Sequence, residues 1–580
     1  MNYGLLFRTV KHLKLTQVYH QVKYRLMKPE YKALALGSKF QVSRFKFLKT
    51  FGMSEQVRAQ VSGFRFQTEP IAKPQCWDGE KFTFLNLTHE FAGWDFNEFG
   101  NLWTYNQNYF DWLNQDGMTA EEGCKWIDRF NRDVLRTEIS QKSGSKSIKS
   151  HLALDPYPIA LRSINWVKFF CKYPECATKE RVDALYSQVK LLEKKLEYHL
   201  LGNHLLEDAY AMYIACASFR INFVDSRHDS ANRASTMALA APRVQDSGFK
   251  KARKLLLEQL EEQVLPDGAH YEQSPMYHCI LLDRLLDCIN IVKGLLREKS
   301  DKNLQENTSK SRITELENYL TSDLLVLTSF AERMLGHLES VVWKDGTIPM
   351  LNDSAEGIAP TLEQLFDYAK RLGLEWKAIP MKECGYRKMV AGRYEAIVDV
   401  GNITATYQPG HTHADTLNYE LRIDGKPVVV DCGISTYNKT ERRQYERSTA
   451  AHNCVVVDGK DSSEVWGGFR VARRATVSGF RFQDSSIEAE HDGFGRPCKR
   501  RFEMSENGFT VEDWYDGEAV SYVHIAEGND EFQVSGLRFQ VEGAIDIEES
   551  PWKYSTEYNR FKEGKEIRIH FNGKVKYTVR

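Results

Sequence analysis

The chain has 580 residues, of which 42% are hydrophobic, 12% aromatic and 27% charged. These proportions are typical of a globular protein and exclude a collagen, a coiled coil and a wholly disordered chain. The formal charge of −1, from 78 basic and 79 acidic residues, argues against a partner bound through bulk charge, so we expect no nucleic-acid partner.

Residues 1–84 are predicted to form a basic helical arm and a linker. The arm carries Arg8, Lys11, Lys14, Lys23, Arg25, Lys28 and Lys32 against a single acidic residue, Glu30. A basic amphipathic helix can make peripheral contact with an anionic membrane, but a solvated helix face is the interpretation that we favour. The arm lacks the apolar stretch of a secretory signal, and no run of about 18 apolar residues predicts a membrane span.

Residues 85–385 are predicted to be helical. Apolar residues recur at three-to-four spacing in the segments 181–201, 247–265, 274–296 and 315–335. Loops with Gly, Asn or Pro separate these segments, a pattern that predicts stacked helical hairpins, as in a toroid or bundle. From residue 386 to 580 the chain alternates β-branched and aromatic runs with Gly, Asn and Asp turns, which predicts an antiparallel β-sandwich.

Two features outside these patterns concern a repeat and the cysteines. The string VSGFRFQ occurs at 61–67 and 477–483, with related copies at 41–47 and 533–540. Because the copies have no fixed period, they do not predict a solenoid, and we interpret them as insertions into tolerant surface loops.

The eleven cysteines include no Cys-x-x-Cys pair, so we predict buried free thiols and a compartment that is not strongly oxidising.

The densest set of chemically reactive residues lies at 407–433. On a strand His411, His413 and Asp415 would project from one face, because strand side chains alternate. Asp431 ends one apolar run and His452 begins another, so the sheet could bring both to His413. Two imidazoles and a carboxylate suit zinc, and the alternative is a hydrogen-bonded His–Asp network inside the sheet.

The helical region contains two further clusters. Asn203 and His204 stand at a predicted helix start, where Asn is also a natural N-cap. A second cluster contains His270, Glu272 and Tyr277, and Pro275 places Tyr277 in the first turn of a helix. A helix N-terminus stabilises an anion such as a phenolate or a carboxylate. The alternative for Tyr277 is a core position.

Aromatic residues recur at helical spacing in 102–113 and 157–170 and suit the walls of a sugar-binding groove, or an ordinary core. Arg162, in the second segment, is able to grip a carboxylate in a bidentate fork. The sequence has no Walker loop, no dinucleotide-binding glycine pattern, no Gly-x-Ser-x-Gly and no HExxH. Their absence argues against ATP use, NAD use and serine hydrolysis.

The strings GNHLLED, DGAHYEQSPMYH, NDSAEG, PGHTHADTLNYEL, VVVDCG and RSTAAHNCVVVDG resemble the heparinase II/III family of polysaccharide lyases. The earlier strings LWTYNQNYFDWL and YPIALRSINWVKF resemble members encoded in bacterial surface-polysaccharide loci. The resemblance extends from about residue 85 to 480. It implies an incomplete (α/α) toroid followed by an antiparallel β-sandwich.

The resemblance also implies a reaction, β-elimination at a uronic acid of a heparan sulfate-like or bacterial surface polysaccharide. The C5 proton is removed, the C4–O bond breaks and an unsaturated sugar remains. The enzyme must neutralise the carboxylate so that an enolate-like intermediate can form, and must place a base and an acid.

The resemblance assigns roles to these residues. Asn203 and His204 would neutralise the carboxylate, and Tyr277 would transfer the proton. His411 would be the facing acid or base, and Tyr445 would be a second catalytic tyrosine, with Tyr437 competing for that role.

Further residues would bind substrate or metal by the same resemblance. His270 and Glu272 would contact substrate, to which we add Arg162 from its chemistry. The ligands of a structural zinc ion would be His413, Asp431 and His452.

Two other functions stay open at this stage. A toroid glycoside hydrolase would need two carboxylates about 5–9.5 Å apart, for which the candidates are Glu207, Asp208, Asp267 and Glu272. The second open function is that of a non-catalytic glycan-binding or assembly protein in exopolysaccharide biosynthesis. The resemblance implies a bacterial periplasmic protein, and the missing signal sequence leaves the cytoplasm as the alternative.

Overall fold

A computed structural model describes residues 3–26, 65–136, 152–228, 241–305, 315–483, 485–526 and 538–580. Helices dominate up to residue 371 and strands dominate from residue 386. The helices are α1 Tyr3–Val10, α2 Leu15–Leu26, α3 Asn101–Tyr109, α4 Ala120–Phe130, α5 Pro156–Lys172, α6 Lys179–Lys195, α7 Gly202–His228, α8 Ala241–Gln263, α9 Pro275–Gln305, α10 Glu315–Val341, α11 Leu362–Arg371 and α12 Glu441–Glu446.

Local chemistry defines where several of these helices begin. The hydroxyls of Thr119 and Thr178 cap α4 and α6, and Thr361 forms a capping box with Gln364 at α11. A cap of this kind stabilises a helix by about 1 kcal/mol. The central helix α7 packs against α5, α8 and α9, and these helices share one large apolar core with the hairpin β1 Lys81–Phe84 and β2 Leu87–Glu90.

The C-terminal region is one large curled antiparallel sheet. Its strands are β3 Tyr386–Ala391, β4 Tyr394–Asp399, β5 Tyr419–Ile423, β6 Lys426–Val429, β7 Val455–Val456, β10 Val477–Gln483, β11 Ser486–His491, β12 Cys498–Ser505, β13 Gly508–Ala526, β14 Phe539–Glu542, β15 Asp546–Glu557 and β16 Arg560–Val579. A separate small hairpin consists of β8 Val465–Trp466 and β9 Arg470–Val471.

The long strand β13 organises this sheet. It pairs with β12 on one side and with β16 on the other, and towards its end it also reaches β6 and β7. A register shift between Tyr515 and Glu518 interrupts its pairing with β16, and such bulges bend a strand and increase its twist. Side chains of β12 alternate between buried and less buried positions, as expected for a sheet with one face in a core.

The predicted domain limits can be placed on these elements. The last helix before the sheet ends at Arg371 and β3 begins at Tyr386, next to the predicted limit at 385. The predicted limit at 84 falls in the turn between β1 and β2, where Phe84 pairs with Leu87. This hairpin contributes Phe82 and Phe84 to the helical core, so it belongs with the helical domain.

The N-terminal arm packs across both domains. Arg8 pairs with Glu464 near β8 at 2.8 Å, and Gln17 Nε2 donates to the carbonyl of Leu200 at 3.0 Å before α7. Lys14 pairs with Glu262, so two of the predicted basic residues are used inside the molecule. Lys28 and Lys32 lie outside the described residues.

The two arm helices also expose apolar side chains. The most exposed are Tyr3, Phe7, Leu15, Tyr19, Val22 and Leu26. Among the helices that the structure describes, none has the length and apolar character needed to cross a membrane.

The VSGFRFQ copy at 477–483 is a strand instead of the predicted surface loop. It forms β10, pairs with β11 and leaves most of its side chains exposed. An edge strand needs partners on one side only, so such a segment can be added to a sheet without disturbing its core. Of the copy at 533–540 only residues 538–540 are described, and the copy at 41–47 and most of that at 61–67 lie outside the described residues.

Candidate active site

Asn203 is held at the start of α7 by a carboxylate from another loop. Glu272 Oε1 accepts from the Asn203 backbone N–H at 2.7 Å, and Oε2 accepts from Asn203 Nδ2 at 2.9 Å. Gly202 begins α7 with φ +63°, and a Cβ there would lie 2.3 Å from Glu272 Oε1. Asn203 is therefore inside the helix and is positioned by Glu272, rather than being an N-cap.

His204 is a cation candidate beside Asn203. Its Nδ1 lies 3.0 Å from Glu197 Oε2, its ring lies against Tyr157 with centroids 4.6 Å apart, and its side chain is 30% exposed. Burial opposes protonation, but the charge and hydrogen bond of Glu197, with help from Glu272, raise the pKa of His204 above its ordinary value. A protonated imidazole at a partly open position is suited to an anionic group.

Tyr277, His411 and Tyr437 form a contiguous group contributed by both domains. The rings of Tyr277 and His411 stack with centroids 3.9 Å apart, and Tyr277 Oη lies 3.2 Å from Tyr437 Oη. Tyr437 Oη also lies 3.4 Å from His411 Nδ1, and Asn203 Nδ2 lies 3.2 Å from His411 Nε2. Burial raises the pKa of both tyrosines, so both are neutral phenols at neutral pH.

The position of Tyr277 follows from the local sequence. Pro275 is the first residue of α9, and the Ser274 hydroxyl accepts from the Tyr277 backbone N–H at 3.2 Å. Tyr277 thus lies in the first turn of α9, as its distance from Pro275 predicts.

Asp353 is the acidic centre of the site and was not among the predicted residues. Arg443 donates to it twice, from Nη1 to Oδ1 at 2.6 Å and from Nη2 to Oδ2 at 2.8 Å. His411 Nδ1 lies 2.9 Å from Oδ2, and His413 Nε2 lies 2.8 Å from Oδ1. Burial opposes ionisation of Asp353, but Arg443 and the two histidines hold its pKa well below the ordinary range.

Asp353 therefore sets the orientation of both histidines. Because an ionised carboxylate only accepts hydrogen bonds, His411 donates from Nδ1 to Asp353. Its Nε2 lies 3.2 Å from Asn203 Nδ2 and 3.3 Å from Glu272 Oε2. The sequence signal for this residue was the NDSAEG string at 352–357, which carried the resemblance but in which no residue was given a role.

The predicted zinc ligands lie together in a buried network. Asp431 Oδ2 is 2.8 Å from His452 Nδ1 and accepts from Asn418 Nδ2 at 2.6 Å. The rings of His413 and His452 have centroids 5.2 Å apart. Burial lowers the pKa of His413 to about 4, whereas Asp431 outweighs burial at His452 and raises the pKa of that ring to about 9.

This network has free donor atoms that suit a metal. His413 Nδ1 and His452 Nε2 are buried and have no hydrogen-bond partner within the described ranges of the chain, and imidazole nitrogens are good zinc ligands. A compact metal site needs donor atoms from several His, Cys or acidic residues close to one another. In the part of the chain that the structure describes, the group with donor atoms all within 4.8 Å of one another is Asp267, His337 and Cys384. His452 and Asp431 are hydrogen-bonded and the His413 ring lies beside them, and the assignment of this trio to zinc stays a prediction.

Three predicted site residues lie away from this group. Arg162 is fully buried, and its guanidinium donates to Gln188 Oε1 at 2.5 Å and to the carbonyls of Asn108 and Ala153, both at 2.9 Å. Its three partners are internal, so the structure assigns Arg162 to the helical core rather than to a substrate carboxylate.

Tyr445 faces a different apolar cluster. Its Oη accepts from Trp552 Nε1 at 2.7 Å, whereas Tyr437 occupies the position beside Tyr277.

His270 is buried and its Nε2 lies 3.0 Å from Gln263 Oε1, while Gln263 Nε2 donates to the carbonyl of Gly202 at 2.9 Å. His270 thus supports the start of α7 from behind.

An aromatic surface continues from His204 along the helical domain. Tyr157 and Tyr109 have ring centroids 5.8 Å apart, and Tyr109 and Tyr105 6.3 Å apart. Tyr105 and Tyr157 are only partly buried. These rings come from the two segments for which the sequence left open a groove wall or an ordinary core.

Comparisons with known proteins bear on the whole chain. The family model "Heparinase II/III N-terminus" matches residues 230–371, and the model "Heparinase II/III-like, C-terminal" matches residues 375–579. No curated protein matches the chain.

Solved structures resemble the fold at low sequence identity. A structure described as heparinase III is 12% identical, with a TM-score of 0.55, and the match covers 95% of this chain and 92% of that one. A heparinase III described as the BT4657 gene product is 14% identical, with a TM-score of 0.54 and coverage of 84% and 80%. A mutant of heparan sulfate lyase HepC from Pedobacter heparinus is 14% identical, with a TM-score of 0.50 and coverage of 87% and 80%. The predicted fold, an incomplete (α/α) toroid followed by an antiparallel β-sandwich, is confirmed.

Proposed function

Because this chain belongs to the heparinase II/III family, we propose that it is a polysaccharide lyase that cleaves a uronate-containing glycan by β-elimination. One observation carries the proposal: Tyr277 and Asn203 from the helical domain meet His411 and Tyr437 from the sheet domain. No packing requirement explains why two phenols, an imidazole and an amide should converge at a domain interface.

The first task of such an enzyme is to neutralise the uronate carboxylate. His204 supplies a positive charge, because Glu197 raises its pKa. Asn203 Nδ2 has two hydrogens, one held by Glu272 and one directed at His411 Nε2 at 3.2 Å. We propose that the second hydrogen turns to the bound carboxylate, so that charge and hydrogen bond together favour the enolate-like intermediate.

The second task is proton transfer. The C5–H bond gives its proton to a base, the electron pair forms the C4–C5 double bond, and the C4–O bond breaks as O4 receives a proton. We propose that Tyr277 exchanges the proton with the sugar and that His411 and Tyr437 complete the relay. The Tyr277–Tyr437 and Tyr437–His411 contacts of 3.2 and 3.4 Å support a connected path for that proton.

We propose that a structural zinc ion is held by His413, Asp431 and His452. Its contribution would be to stability, because the free energy of metal binding adds to that of folding. His413→Ala is expected to lose one equivalent of zinc and to unfold at lower denaturant concentration. Metal analysis of folded wild-type protein that finds no zinc would refute this assignment.

The substrate we propose is a heparan sulfate-like or bacterial surface polysaccharide, met in the periplasm. The exposed apolar residues and remaining basic residues of α1 and α2 suit peripheral contact with an anionic membrane. Sedimentation with vesicles of anionic and of neutral lipid tests this contact, and equal recovery of the protein from both would argue against it.

The decisive experiment is ultraviolet absorbance of the protein incubated with heparan sulfate, heparin, hyaluronan, alginate and a bacterial surface polysaccharide. A lyase produces a conjugated C4–C5 double bond and therefore an absorbance rise on its substrate. Release of reducing ends without that rise would identify a hydrolase. Binding without either product would identify a glycan-binding protein.

The structure favours elimination over hydrolysis in one respect. Glu207, Asp208 and Asp267, candidates for a hydrolase, are all buried, and Glu272 is engaged with Asn203. A hydrolase needs one carboxylate on each side of an accessible bond.

A further inference from the structure

Asp267, His337 and Cys384 form a buried group between the two domains, here called the interdomain cluster. Asp267 lies in the loop after α8, His337 lies near the end of α10, and Cys384 lies just before β3. A donor atom from each of the three residues lies within 4.8 Å of the other two, and all three residues are at least 95% buried.

The carboxylate of Asp267 is fixed by the chain around Cys384. Its Oδ2 accepts from the backbone N–H groups of Lys382 at 2.9 Å and of Cys384 at 3.0 Å. Burial opposes ionisation, but these two backbone hydrogen bonds outweigh it and lower the pKa of Asp267. The backbone around Cys384 thus holds the Asp267 carboxylate beside the thiol.

His337 supplies an imidazole that lies beside the backbone of Asp267. Its Nδ1 is buried and has no hydrogen-bond partner among the residues that the structure describes, although the residue is only 4% exposed. Leaving such an atom unsatisfied is costly, so a buried polar atom without a partner calls for an explanation.

The neighbouring histidine does not supply that partner. His278 lies with its ring centroid 5.2 Å from that of His337. Its Nδ1 accepts from the His270 backbone N–H at 3.3 Å, and its Nε2 lies 3.0 Å from the carbonyl of Met334. Both nitrogens of His278 are therefore engaged.

A glycine allows the Asp267 loop to reach α10. Gly268 has φ +81°, and a Cβ at this position would lie 2.1 Å from the carbonyl oxygen of Arg333 and 3.2 Å from His337 Cβ. Only a residue without a side chain permits this approach. The backbone thus brings Asp267 and His337 together by a feature that has no bearing on the proposed proton transfer.

We propose that Asp267, His337 and Cys384 bind a Zn²⁺ ion at a site separate from His413, Asp431 and His452. A thiolate, an imidazole and a carboxylate are zinc ligands, whereas magnesium and calcium prefer oxygen donors alone. Three protein donors leave one tetrahedral position for water. Binding forms the zinc–sulfur bond and releases the Cys384 thiol proton to solvent, so metal uptake is accompanied by release of one proton.

The ion would fix the 267–273 loop, which carries Glu272, the residue that positions Asn203. Gln273, which follows Glu272, donates from Nε2 to the carbonyls of Cys384 at 2.8 Å and of Asn402 at 3.0 Å. Zinc at the interdomain cluster would therefore hold the 267–273 loop between α10 and the sheet. Through Glu272, that loop sets the position of Asn203, so the metal acts as a positioning element and touches no substrate.

Cobalt substitution tests the site without reference to enzyme activity. Full-length protein is stripped of metal with a chelator and titrated with Co²⁺ alone. A thiolate ligand gives a near-ultraviolet charge-transfer band, which histidine and carboxylate ligands do not give. We expect the band in wild-type protein, its loss in Cys384→Ser, and its retention in the matched controls Cys432→Ser and Cys454→Ser, whose thiols neighbour the other predicted zinc site.

Metal content gives a second readout. Cys384→Ser and His337→Gln are each expected to lose one equivalent of zinc relative to wild type while keeping the circular dichroism of the folded protein. If folded wild-type protein gives no thiolate band with Co²⁺, or if the band persists in Cys384→Ser, the proposal is wrong and the thiol only donates a hydrogen bond to Asp267. The wild-type titration decides even if a variant fails to fold.

Discussion

Tyr437 and Tyr445 offer a direct test of the proposed proton path. Both are tyrosines of the sheet domain whose pKa is raised by burial. Of the two, only the hydroxyl of Tyr437 lies near the proposed proton-transfer residues, 3.2 Å from Tyr277 Oη and 3.4 Å from His411 Nδ1. The hydroxyl of Tyr445 accepts from Trp552 Nε1 at 2.7 Å. Removing each hydroxyl should therefore change different properties.

Tyr437→Phe is expected to lower kcat by about 10²–10⁴-fold, the usual contribution of one proton-transfer group. At about 1.36 kcal/mol for each tenfold change, this is a barrier increase of roughly 3–5 kcal/mol. The free energy of unfolding should fall by only about 1 kcal/mol, because one hydrogen-bonding hydroxyl is lost.

Tyr445→Phe is expected to show the reverse pattern. Its kcat should stay close to that of the wild type, while the buried indole N–H of Trp552 loses its acceptor and the free energy of unfolding falls by roughly 1–3 kcal/mol. The assay is the rate of absorbance rise on whichever uronate polymer the wild type cleaves, with stability from urea denaturation. A Tyr445→Phe variant that loses turnover beside an active Tyr437→Phe variant would refute the assignment.

Three more predictions concern the groups around this path. Gly202→Ala should lower kcat at least tenfold, because a Cβ would lie 2.3 Å from Glu272 Oε1 and push that carboxylate from its place; unchanged steady-state kinetics would contradict this. The pKa of His204 is raised in the folded protein. Its cation, and any stability that the cation gives, is therefore fully present below the ordinary histidine pKa and is lost as pH rises through the higher folded value. The measured kcat/KM should fall over that pH window, and Glu197→Gln should move the fall to lower pH. Asp353→Asn leaves a buried arginine uncompensated and should reduce the free energy of unfolding by about 3–5 kcal/mol in urea denaturation; a loss below 1 kcal/mol would show that the ion pair is dispensable.

The fold class could be predicted from the sequence because two periodicities divide the chain. Three-to-four spacing gives the helices, and period-two runs with turn residues give the sheet. The placement of Tyr277 in the first turn of α9 followed from Pro275 alone. These features depend on residues that are neighbours in sequence, where spacing constrains geometry directly.

The choice between Tyr437 and Tyr445 could not be made in the same way. They are eight positions apart, and one lies before α12 while the other lies within it. Which hydroxyl turns to Tyr277 depends on how the chain packs around Trp552 from β15, more than 100 residues later. Arg162 was misjudged for a related reason, since an arginine at helical spacing among aromatics has the same pattern whether its fork meets a ligand or backbone carbonyls.

Asp353 shows why a central residue of the site could not be found in the sequence. An aspartate in a polar loop reads as an ordinary turn residue. It becomes central only when α12 brings Arg443 to it and the 411–413 segment brings two imidazoles. The sequence singled out Asn203, Tyr277 and His411, which the structure brings together, because their residue types are uncommon in a core. It missed the charge that orients them, because that charge acts only through contacts between the two domains. The same reasoning applies to the interdomain cluster. In the sequence Asp267 stood out only as a carboxylate for a hydrolase, and the three residues meet only where α10, a loop and the segment before β3 come together.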